Sequence, residues 1–354
     1  MCHAIDTRSF DCVKPPCVGL TSLRMTYQID KIQMKNIAIL VPQGAASVGC
    51  IEGSYIGFSR ANEVLAGMGR SPLFTITLVG LTMEPQRYDR FVSIQPDITT
   101  QDDYRADLII IPAVNGEWNE VISINREFFP WIVGQYKNGA EVASLCVGAF
   151  LLAATGLVEG KKCATHWMFQ NDFRKMFPDV DLVSEKVITD ERGIYSSGGA
   201  NSFWNLIIYL IDKYAGREVA IACAKIYEIE VDRDTQSPFI IFVGQKDHED
   251  EPIKEAQSFI ESNFQKKITV EELAARCAMG RRTFERRFKK ATSNTVVEYL
   301  QRVKIEAAKK SLEHNRKPVS EVMYDVGYSD TKAFRTTFKK ITGLSPIDYR
   351  NKFA

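Results

Sequence analysis

The stretch Phe288-Lys289-Lys290-Ala291-Thr292 returns fifty residues later as Phe338-Lys339-Lys340-Ile341-Thr342. Before each copy, apolar residues recur at i, i+3, i+4 and i+7, a spacing that places them on one face of a helix. These residues are Val270, Leu273, Ala274 and Cys277 in the first copy, and Val319, Val322, Met323 and Val326 in the second. A turn that contains glycine follows each set, Ala278-Met279-Gly280 and then Gly327-Tyr328-Ser329. The chain is therefore predicted to end in two helix-turn-helix units.

The second helix of each unit combines aromatic anchors with a basic outer face. Phe284 and Phe288 are predicted to anchor the first helix, and Phe334 and Phe338 the second. An inserted helix presents its outward side chains to base edges, whereas lysines at its end meet phosphates. The outward residues are Arg282, Glu285, Arg286, Lys332, Arg335 and Thr336, and the lysines at the helix ends are Lys289, Lys290, Lys339 and Lys340. Because the basic face occurs twice at matching spacing, DNA binding is favoured over a face that is only solvated.

One helix is predicted to join the two units. Val296, Leu300, Val303 and Ala307 keep a helical period, and the helix is expected to end near Leu312. Its roughly 18 residues would span about 27 Å. This length is close to the ~34 Å between successive major-groove faces on one side of B-DNA. One monomer could thus place both basic helices in adjacent turns of the groove.

Capping patterns mark the start of each unit. Thr269 followed by Glu272 is the pattern of a capping box, and Ser320 is placed to cap the leading helix of the second unit. Both positions agree with the helix starts that the apolar periodicity predicts.

Residues 252–354 resemble the AraC/XylS-type DNA-binding domain over its whole length. The resemblance rests on Thr269–Thr292, on the linker Val297–Lys304, and on the closing pattern Gly327-Tyr328, Phe334, Phe338-Lys339 and Gly343–Arg350. In that family the outward positions of both recognition helices read bases. The resemblance gives this role to Arg282, Glu285, Arg286, Lys332, Arg335 and Thr336.

Charge divides the chain into two unlike parts. From Asp250 onward it holds 22 Lys and Arg against 14 Asp and Glu, a balance of +8, while the rest holds 23 against 30, or −7. A basic module beside a larger acidic part is typical of a nucleic-acid-binding domain joined to one that does not touch DNA. With 354 residues and 45% apolar residues, the chain is long enough for two packed domains.

The eight cysteines lack the paired short spacings of a zinc site or a disulfide framework. Free thiols in a reducing cytoplasm are the favoured interpretation, and we expect neither a metal nor a cofactor. No run of about 18 apolar residues predicts a membrane helix. Residues 1–33, which contain Cys2, Cys12 and Cys17, lack the apolar core of a signal peptide and are expected to be a disordered leader.

Residues 34–229 alternate continuous apolar runs with helical patterns. This alternation predicts an α/β domain with a parallel sheet that is covered on both faces. Strands are predicted at 36–41, 74–79, 107–112 and 141–145, and helices at 54–66, 125–138, 200–214 and 218–228. Residues 230–251 lose the periodicity and are predicted to be the linker to the all-α domain at 252–354.

Within this domain, Ser144-Leu145-Cys146-Val147-Gly148-Ala149 joins a strand to a helix, with Cys146 on the turn. This arrangement predicts a nucleophile elbow, a strained turn that exposes a side chain at the edge of the sheet. The helix N-terminus would favour a thiolate there. Open α/β sheets also bind ligands in this crevice, so Cys146 is a candidate ligand-binding or catalytic residue.

Residues 36–215 resemble the PfpI-type, class I glutamine-amidotransferase-like superfamily, chiefly on the segment from Cys146 to Trp167. The resemblance implies a flavodoxin-like sandwich. Some members are hydrolases or glyoxalases that use the elbow cysteine with a histidine and a carboxylate. The resemblance assigns the histidine position to His166 and a glutamate of the first helix to Glu52. Protease-like members have a histidine directly after the cysteine, whereas this chain has Val147.

Three interpretations of Cys146 and His166 stay open: a nucleophile with its base, the floor of a ligand pocket that is no longer catalytic, or a buried cysteine with a structural histidine. The second is favoured. Two loops are further candidates, Asn115-Gly116 and Ser197-Gly198-Gly199, because their glycines allow close approach of a ligand. Simple tight turns explain these glycines equally well. The predicted ligand-binding set is Cys146, His166, Glu52, Asn115, Gly116, Ser197 and Gly198.

An amidotransferase-like domain followed by an AraC-type domain resembles the GlxA-type transcription regulators. The resemblance implies a cytoplasmic, sequence-specific regulator, most readily an activator acting with RNA polymerase. Its first domain would bind a small, often nitrogenous, metabolite and form a homodimer. Two alternatives stay open. One is a cysteine-dependent amidase or glyoxalase-like enzyme with a DNA-binding domain, and the other is a constitutive DNA-binding protein whose first domain only dimerises.

Overall fold

The computed structural model describes residues 34–354 apart from positions 89, 91 and 315. The predicted leader at 1–33, with its three cysteines, lies outside the described residues. The strands are β1 Lys35–Leu40, β2 Ala45–Ala46, β3 Phe74–Gly80, β4 Gln86–Tyr88, β5 Val92–Ile94, β6 Ile98–Thr99, β7 Leu108–Ile111, β8 Val114–Asn115, β9 Glu141–Ser144, β10 Lys162–Cys163, β11 Asp181–Leu182, β12 Ile188–Asp190 and β13 Ile194–Ser197. The helices are α1 Val48–Gly67, α2 Trp118–Ile124, α3 Phe128–Lys137, α4 Ala149–Ala154, α5 Gln170–Met176, α6 Phe203–Ala215, α7 Arg217–Ile226, α8 Glu251–Asn263, α9 Val270–Arg276, α10 Arg281–Thr292, α11 Val296–His314, α12 Val319–Asp325, α13 Thr331–Thr342 and α14 Pro346–Phe353. No helix in the described ranges is long and apolar enough to cross a membrane.

A seven-stranded sheet in the order β12-β13-β9-β7-β1-β3-β6 forms the centre of the N-terminal domain. Its neighbouring strands run parallel, except that β12 pairs antiparallel with β13 at the edge. Every residue of β7 is buried, as is the second half of β1. Helices cover strands of this kind on both faces, which explains their continuous apolar runs. The parallel α/β sandwich predicted from the sequence is confirmed.

Helix α1 lies against α6 at a spacing that glycine makes possible. A Cβ atom on Gly53 would lie 2.5 Å from Cε2 of Phe203, and one on Gly57 would lie 2.7 Å from Cγ2 of Ile207. Both separations are far inside van der Waals contact. The two glycines, one helical turn apart, therefore let large side chains of α6 reach the backbone of α1.

Each helix-turn-helix unit of the C-terminal domain has an apolar cluster of its own. The four predicted aromatic anchors are completely buried, namely Phe284, Phe288, Phe334 and Phe338. Helix α11 joins the units, and its 19 residues extend over about 28 Å. Val303 belongs to the cluster of the first unit, whereas Ile305 belongs to that of the second. The linking helix is thus part of both cores.

Three predicted element boundaries were wrong for physical reasons. Helix α1 begins at Val48 rather than at 54, because the glycines of its first half hide the apolar period. The single helix predicted at 125–138 is two helices, since the buried Asn125 ends α2 and bonds to the backbone of Gln43 at 2.8 and 3.1 Å. Ser320 lies inside α12, which starts after Pro318 without a side-chain cap.

Residues 230–251 contain no long helix or strand, but they are bound by both domains. The Nε2 atom of the fully buried Gln236 donates to the carbonyl oxygen of Thr165 at 2.9 Å, in the N-terminal domain. Further along, Nζ of Lys309 on α11 donates to the carbonyl oxygen of Ile240 at 2.6 Å. The segment therefore connects the two domains by docking on both rather than as a free tether.

Candidate DNA interface and effector site

All residues predicted to face DNA are exposed to solvent: Arg282, Glu285, Arg286, Lys289, Lys290, Lys332, Arg335, Thr336, Lys339 and Lys340. Helices α10 and α13 have the same burial pattern at every position, with two phenylalanines inward and the predicted base readers outward. The outward placement follows from the spacing of the phenylalanines four residues apart, which fixes the inner face.

Salt bridges distinguish the charged residues of α10. Glu285 lies 3.4 Å from Nε of Arg281, which also pairs with Glu271 on α9. Arg287 holds the carboxylate of Asp250 through Nε at 2.8 Å and Nη2 at 2.7 Å, and this bidentate pair fixes α10 to the start of α8. Base reading by Glu285 would therefore require its carboxylate to leave Arg281, while Arg287 is engaged within the domain.

A concave surface of about 520 Å³ opens on the first unit between α10 and the start of α11. It is lined by Val270, Arg282, Glu285, Arg286, Lys289, Lys290, Thr295, Val296 and Val297. Val297 is 57% exposed, although it is apolar. The concentration of cationic side chains on one wall fits the negative backbone of a duplex.

The turn at Cys146 has the shape that the sequence predicts for an elbow. Cys146 has a φ angle of 54°, a conformation that residues other than glycine rarely adopt. A Cβ atom on Gly148 would lie 2.6 Å from the carbonyl oxygens of both Ile111 and Pro112. Only glycine therefore lets this turn pack directly against the end of β7.

The thiol of Cys146 is protonated in this environment. Burial, with 7% of the residue exposed, raises the pKa of the Cys146 thiol to about 12, and the neighbouring Cys50 adds to the shift. The predicted thiolate was wrong, because loss of hydration outweighs the field of a short helix. Glu52, the predicted carboxylate partner, points to solvent from α1, whereas Cys50 and Ser54 occupy the buried face.

His166 acts as a cap. Its Nδ1 accepts a hydrogen bond from the backbone N of Met168 at 3.2 Å, at the start of the single turn Trp167–Phe169. Partial burial lowers the pKa of the ring, which therefore favours the neutral form at pH 7. Among the described residues, no hydrogen bond joins this ring to the Cys146 thiol. The preceding residue makes the contact instead, since the Thr165 hydroxyl donates to the carbonyl oxygen of Cys146 at 3.2 Å.

The loop after β13 packs against the elbow. Oγ of Ser197 accepts a hydrogen bond from the backbone N of Cys146 at 3.2 Å. A Cβ atom on Gly198 would lie 2.2 Å from Nε2 of Gln236. The structure thus brings Cys146, Ser197 and Gly198 together, as predicted for the ligand site. The contacts of Ser197 and Gly198 are with other residues of the protein.

Asn115 borders a different space. It lines a hollow of about 630 Å³ beside the first turn of α1, together with Gly44, Ala45, Ala46, Ser47, Val48, Gly49, Gln86, Arg87 and Tyr88. Cys50 directly follows the lining residue Gly49 on α1, and it helps to raise the pKa of the Cys146 thiol at the elbow. Gly116 is not part of this lining, and a Cβ atom there would lie 3.1 Å from Cγ2 of Val121.

Sequence reasoning missed Cys50, Arg87 and Gln236. Cys50 does carry a signal, since it precedes Ser54 by one helical turn on the face of α1 that is buried. Arg87 lies in a short hairpin and Gln236 in an aperiodic segment, so their placement arises only from tertiary contacts. No group of three or more potential metal-binding side chains occurs in the part of the chain that the structure describes.

Known proteins match both halves of the chain. The DJ-1/PfpI family matches residues 59–212, and the helix-turn-helix domain family matches residues 273–352. The HTH-type transcriptional regulator GbdR of Pseudomonas aeruginosa is 25% identical over 260 residues, which are 73% of this chain and 70% of GbdR. The HTH-type transcriptional regulator ArgR of the same species is 24% identical over 217 residues, 61% of this chain and 66% of ArgR.

A solved protein from Vibrio parahaemolyticus shares the fold, with a TM-score of 0.50 and 21% identity over 55% of this chain and 99% of that one. The flavodoxin-like architecture and the two-domain organisation expected from the sequence are confirmed. The chain joins a DJ-1/PfpI domain to an AraC-type helix-turn-helix domain, and it is a transcriptional regulator of that kind.

Proposed function

We propose that this regulator senses a small metabolite that carries a carboxylate, bound in the hollow beside α1, and that it is not an enzyme. The observation that supports sensing over catalysis is the state of the elbow. The Cys146 thiol is held protonated by burial, the His166 ring caps a turn, and Glu52 faces solvent. A nucleophile needs an adjacent base or a lowered pKa, and the elbow has neither.

The walls of the hollow favour a carboxylate. Helix α1 starts at Val48 with no side-chain cap and no acidic residue in its first turn, so its N–H groups and dipole favour an anion. Arg87 and Asn115 belong to the same lining, and Nη2 of Arg87 donates to the carbonyl oxygen of Arg90 at 3.1 Å. Arginine binds carboxylates through two parallel hydrogen bonds. Together with the resemblance to GlxA-type regulators, which often bind nitrogenous metabolites, these groups suggest an amino acid or a related zwitterion.

A continuous series of contacts leads from the elbow to the DNA-binding domain. The Thr165 hydroxyl bonds to the carbonyl oxygen of Cys146, and the Thr165 carbonyl oxygen accepts from Gln236. Four residues along the chain, Ile240 is bound by Lys309 on the linking helix. An effector that shifts the elbow would thus act on α11, and a coupling free energy of about 1–3 kcal/mol is typical of such transmission.

For the operator complex we propose that α10 and α13 enter successive major grooves of double-stranded DNA. The predicted homodimer would then engage two half-sites in the cytoplasm and activate transcription with RNA polymerase. We propose that Asn115 contacts the effector directly. The residues at the elbow would respond to the bound effector without contacting it, namely Cys146, His166, Ser197 and Gly198.

The experiment is a thermal-unfolding screen of the full chain against amino acids, betaines and small dicarboxylates. A ligand at 100 times its Kd should stabilise by about 2.7 kcal/mol. Arg87→Gln should remove the response to a hit, and Arg70→Gln, a change at an exposed arginine after α1, should retain it. The same hit should change operator affinity. If no compound shifts either unfolding or operator binding, the constitutive alternative replaces this proposal.

Cys146→Ala separates the sensor from an enzyme. A sensor variant should still bind operator DNA and still respond to the hit, with altered affinity at most. An enzyme would consume the hit compound, and this variant would stop consumption. Mass spectrometry of the compound after incubation with wild-type protein decides between the two outcomes.

A further inference from the structure

A second hollow lies between the domains. It encloses about 350 Å³ and is walled by the N-terminal domain, by the docked segment 230–251, by α11 and by the end of α13. Its lining includes Ser184, Glu185, Ser237, Arg302, Lys309 and Lys340. Spaces of this size hold small ligands in many proteins. It is separate from the hollow beside α1, with which it shares no lining residue.

The guanidinium carbon of Arg302 lies 5.8 Å from the centre of the Phe242 ring, but no carboxylate in the described part of the chain pairs with this side chain. It is half-buried on α11, and among the described residues it forms neither an ion pair nor a hydrogen bond. Burial lowers the pKa of its guanidinium, although Glu298 and Glu185 act in the opposite direction. Removing a charge from water without an ion-pair partner is costly, so a guanidinium placed this way favours an anionic ligand.

A second guanidinium, that of the exposed Arg174, lies beside this hollow on the N-terminal domain and is bound to two residues of its lining. Arg174 donates to Oε1 of Gln170 at 3.1 Å and to Oγ of Ser184 at 3.4 Å, and both acceptors line the hollow. Burial lowers the pKa of Arg174, and the charge of Arg302 lowers it further. The positive charges of Arg174 and Arg302 therefore act on each other across the domain boundary.

The carboxylates around the hollow leave this charge incompletely balanced. Glu298 accepts hydrogen bonds from the backbone N and the hydroxyl of Thr295, at 2.8 and 2.9 Å, and Glu306 is bound to Lys309 at 2.8 Å. Glu185 acts on both guanidiniums but forms no ion pair in the described part of the chain. Lys340, which the sequence predicts to meet a DNA phosphate, is in the lining of this hollow and adds a further cation without an ion pair in the described residues. The excess of positive over negative side chains around the hollow is small, and this favours a compact anion over a polyphosphate.

We propose that this interdomain hollow binds a small anion, phosphate or a short dicarboxylate, which bridges Arg174 of the N-terminal domain and Arg302 of the DNA-binding domain. Ser184 and Ser237 supply hydroxyl donors at its edge. The anion neutralises the repulsion between the two guanidiniums and so ties α11 to the N-terminal domain. Its concentration therefore sets how firmly the two domains hold together, independently of the effector in the hollow beside α1.

The test is the unfolding temperature of the full chain titrated with potassium phosphate against potassium chloride at constant ionic strength. We expect a saturable increase with phosphate. Arg302→Gln and Arg174→Gln should each raise the apparent Kd about tenfold or more, as for a lost hydrogen bond to a charged group. Succinate in place of phosphate identifies which anion class is preferred. Arg70→Gln is the matched control and should retain the wild-type curve.

Two outcomes would overturn the proposal. A non-saturating increase that is equal in all variants would be the general stabilisation that phosphate gives by exclusion from protein surfaces. Loss of the response in Arg286→Gln would place the phosphate on the DNA-binding face. In chloride alone, Arg302→Gln should be at least as stable as the wild type, because it removes the repulsion, and this check separates lost binding from misfolding.

Discussion

The hydroxyl groups of Thr292 and Thr342 occupy equivalent positions and make the same hydrogen bonds at the ends of the two recognition helices. Each donates to the carbonyl oxygen of the phenylalanine four residues earlier, at 2.8 Å. Each accepts from the backbone N two residues later, at 3.2 Å. Both side chains are buried. The threonine that is repeated in the sequence thus ends α10 and α13 in the same way.

Thr292→Val and Thr342→Val should each lower the free energy of unfolding by about 1–3 kcal/mol, because each leaves a buried N–H without its acceptor. The residues belong to separate apolar units, so the double variant should be additive within about 0.5 kcal/mol. Denaturant unfolding measures both quantities. Thr283→Val, at an exposed position of α10, is the control and should change stability by less than about 0.5 kcal/mol.

Arg286 and Arg287 are adjacent and should behave differently. Arg286→Ala should relax preference at one operator base and weaken binding by about 1–3 kcal/mol, since its side chain faces outward. Arg287→Ala should instead lower stability, because it breaks the bidentate pair with Asp250. Binding to a library of single-base operator variants, with thermal unfolding, tests the contrast. Unchanged specificity in Arg286→Ala would contradict the assignment of the groove-facing side.

Lys339 is expected to contact a phosphate. Lys339→Ala should weaken binding to all sequences alike and lower the slope of log K against log salt by about one. Fluorescence anisotropy over a range of potassium chloride concentrations gives this slope. A loss confined to one operator would make Lys339 a base reader instead.

The buried thiols should make the protein less stable at high pH. Burial raises the pKa of Cys146 and of Cys163 to about 12, and that of Cys223 to about 11, from 9.0. The unfolded chain loses these protons near pH 9 while the folded protein keeps them. Their contribution to stability is therefore complete below about pH 9 and is lost as the pH rises toward 12.

Urea unfolding at a series of pH values from 8 to 11 measures this loss. Cys163→Ala should make the decline shallower, whatever it does to stability at pH 7. At pH 7, iodoacetamide should modify the half-buried Cys277 before Cys146. Rapid alkylation of Cys146 at that pH would contradict the raised pKa and reopen the enzymatic interpretation.

Gln236→Leu should both destabilise the protein and weaken coupling between its domains. Its amide donates to the carbonyl oxygens of Thr165 and Ser184, at 2.9 and 2.7 Å, and these acceptors would lose their partner. Leucine cannot donate these hydrogen bonds, and the variant should lower total stability by about 1–3 kcal/mol. The effect of a screened ligand on operator affinity should shrink in this variant. Full retention of that effect would exclude the Gln236 contact as a route of transmission.

The fold and the exposure of the residues predicted to face DNA could be predicted because they depend on local periodicity. Phenylalanines four residues apart fix the inner face of α10 and of α13, and the outer residues follow directly. The turn at Cys146 could be predicted for a similar reason, since a strand, a turn and a helix occur in immediate succession.

The candidate effector site could be predicted only in part, because its chemistry depends on contacts between distant segments. The environment of Cys146 is set by Cys50 and by burial, and neither is visible in the spacing around the elbow. The lining residue Arg87 comes from a separate hairpin. The buried pair of Glu306 and Lys309 on α11 would be assigned to solvent by charge alone, yet it holds the docked segment.

The close fit of Gly148 against the carbonyl oxygens of Ile111 and Pro112 has an evolutionary consequence. Packing against the sheet is enough to preserve the bent backbone at Cys146, whether or not any reaction takes place there. We therefore expect a related protein without catalytic activity at this turn to keep the same bent backbone. The shape of such a turn is therefore no evidence of catalysis by itself, and the protonation and partners of the surrounding side chains have to be considered.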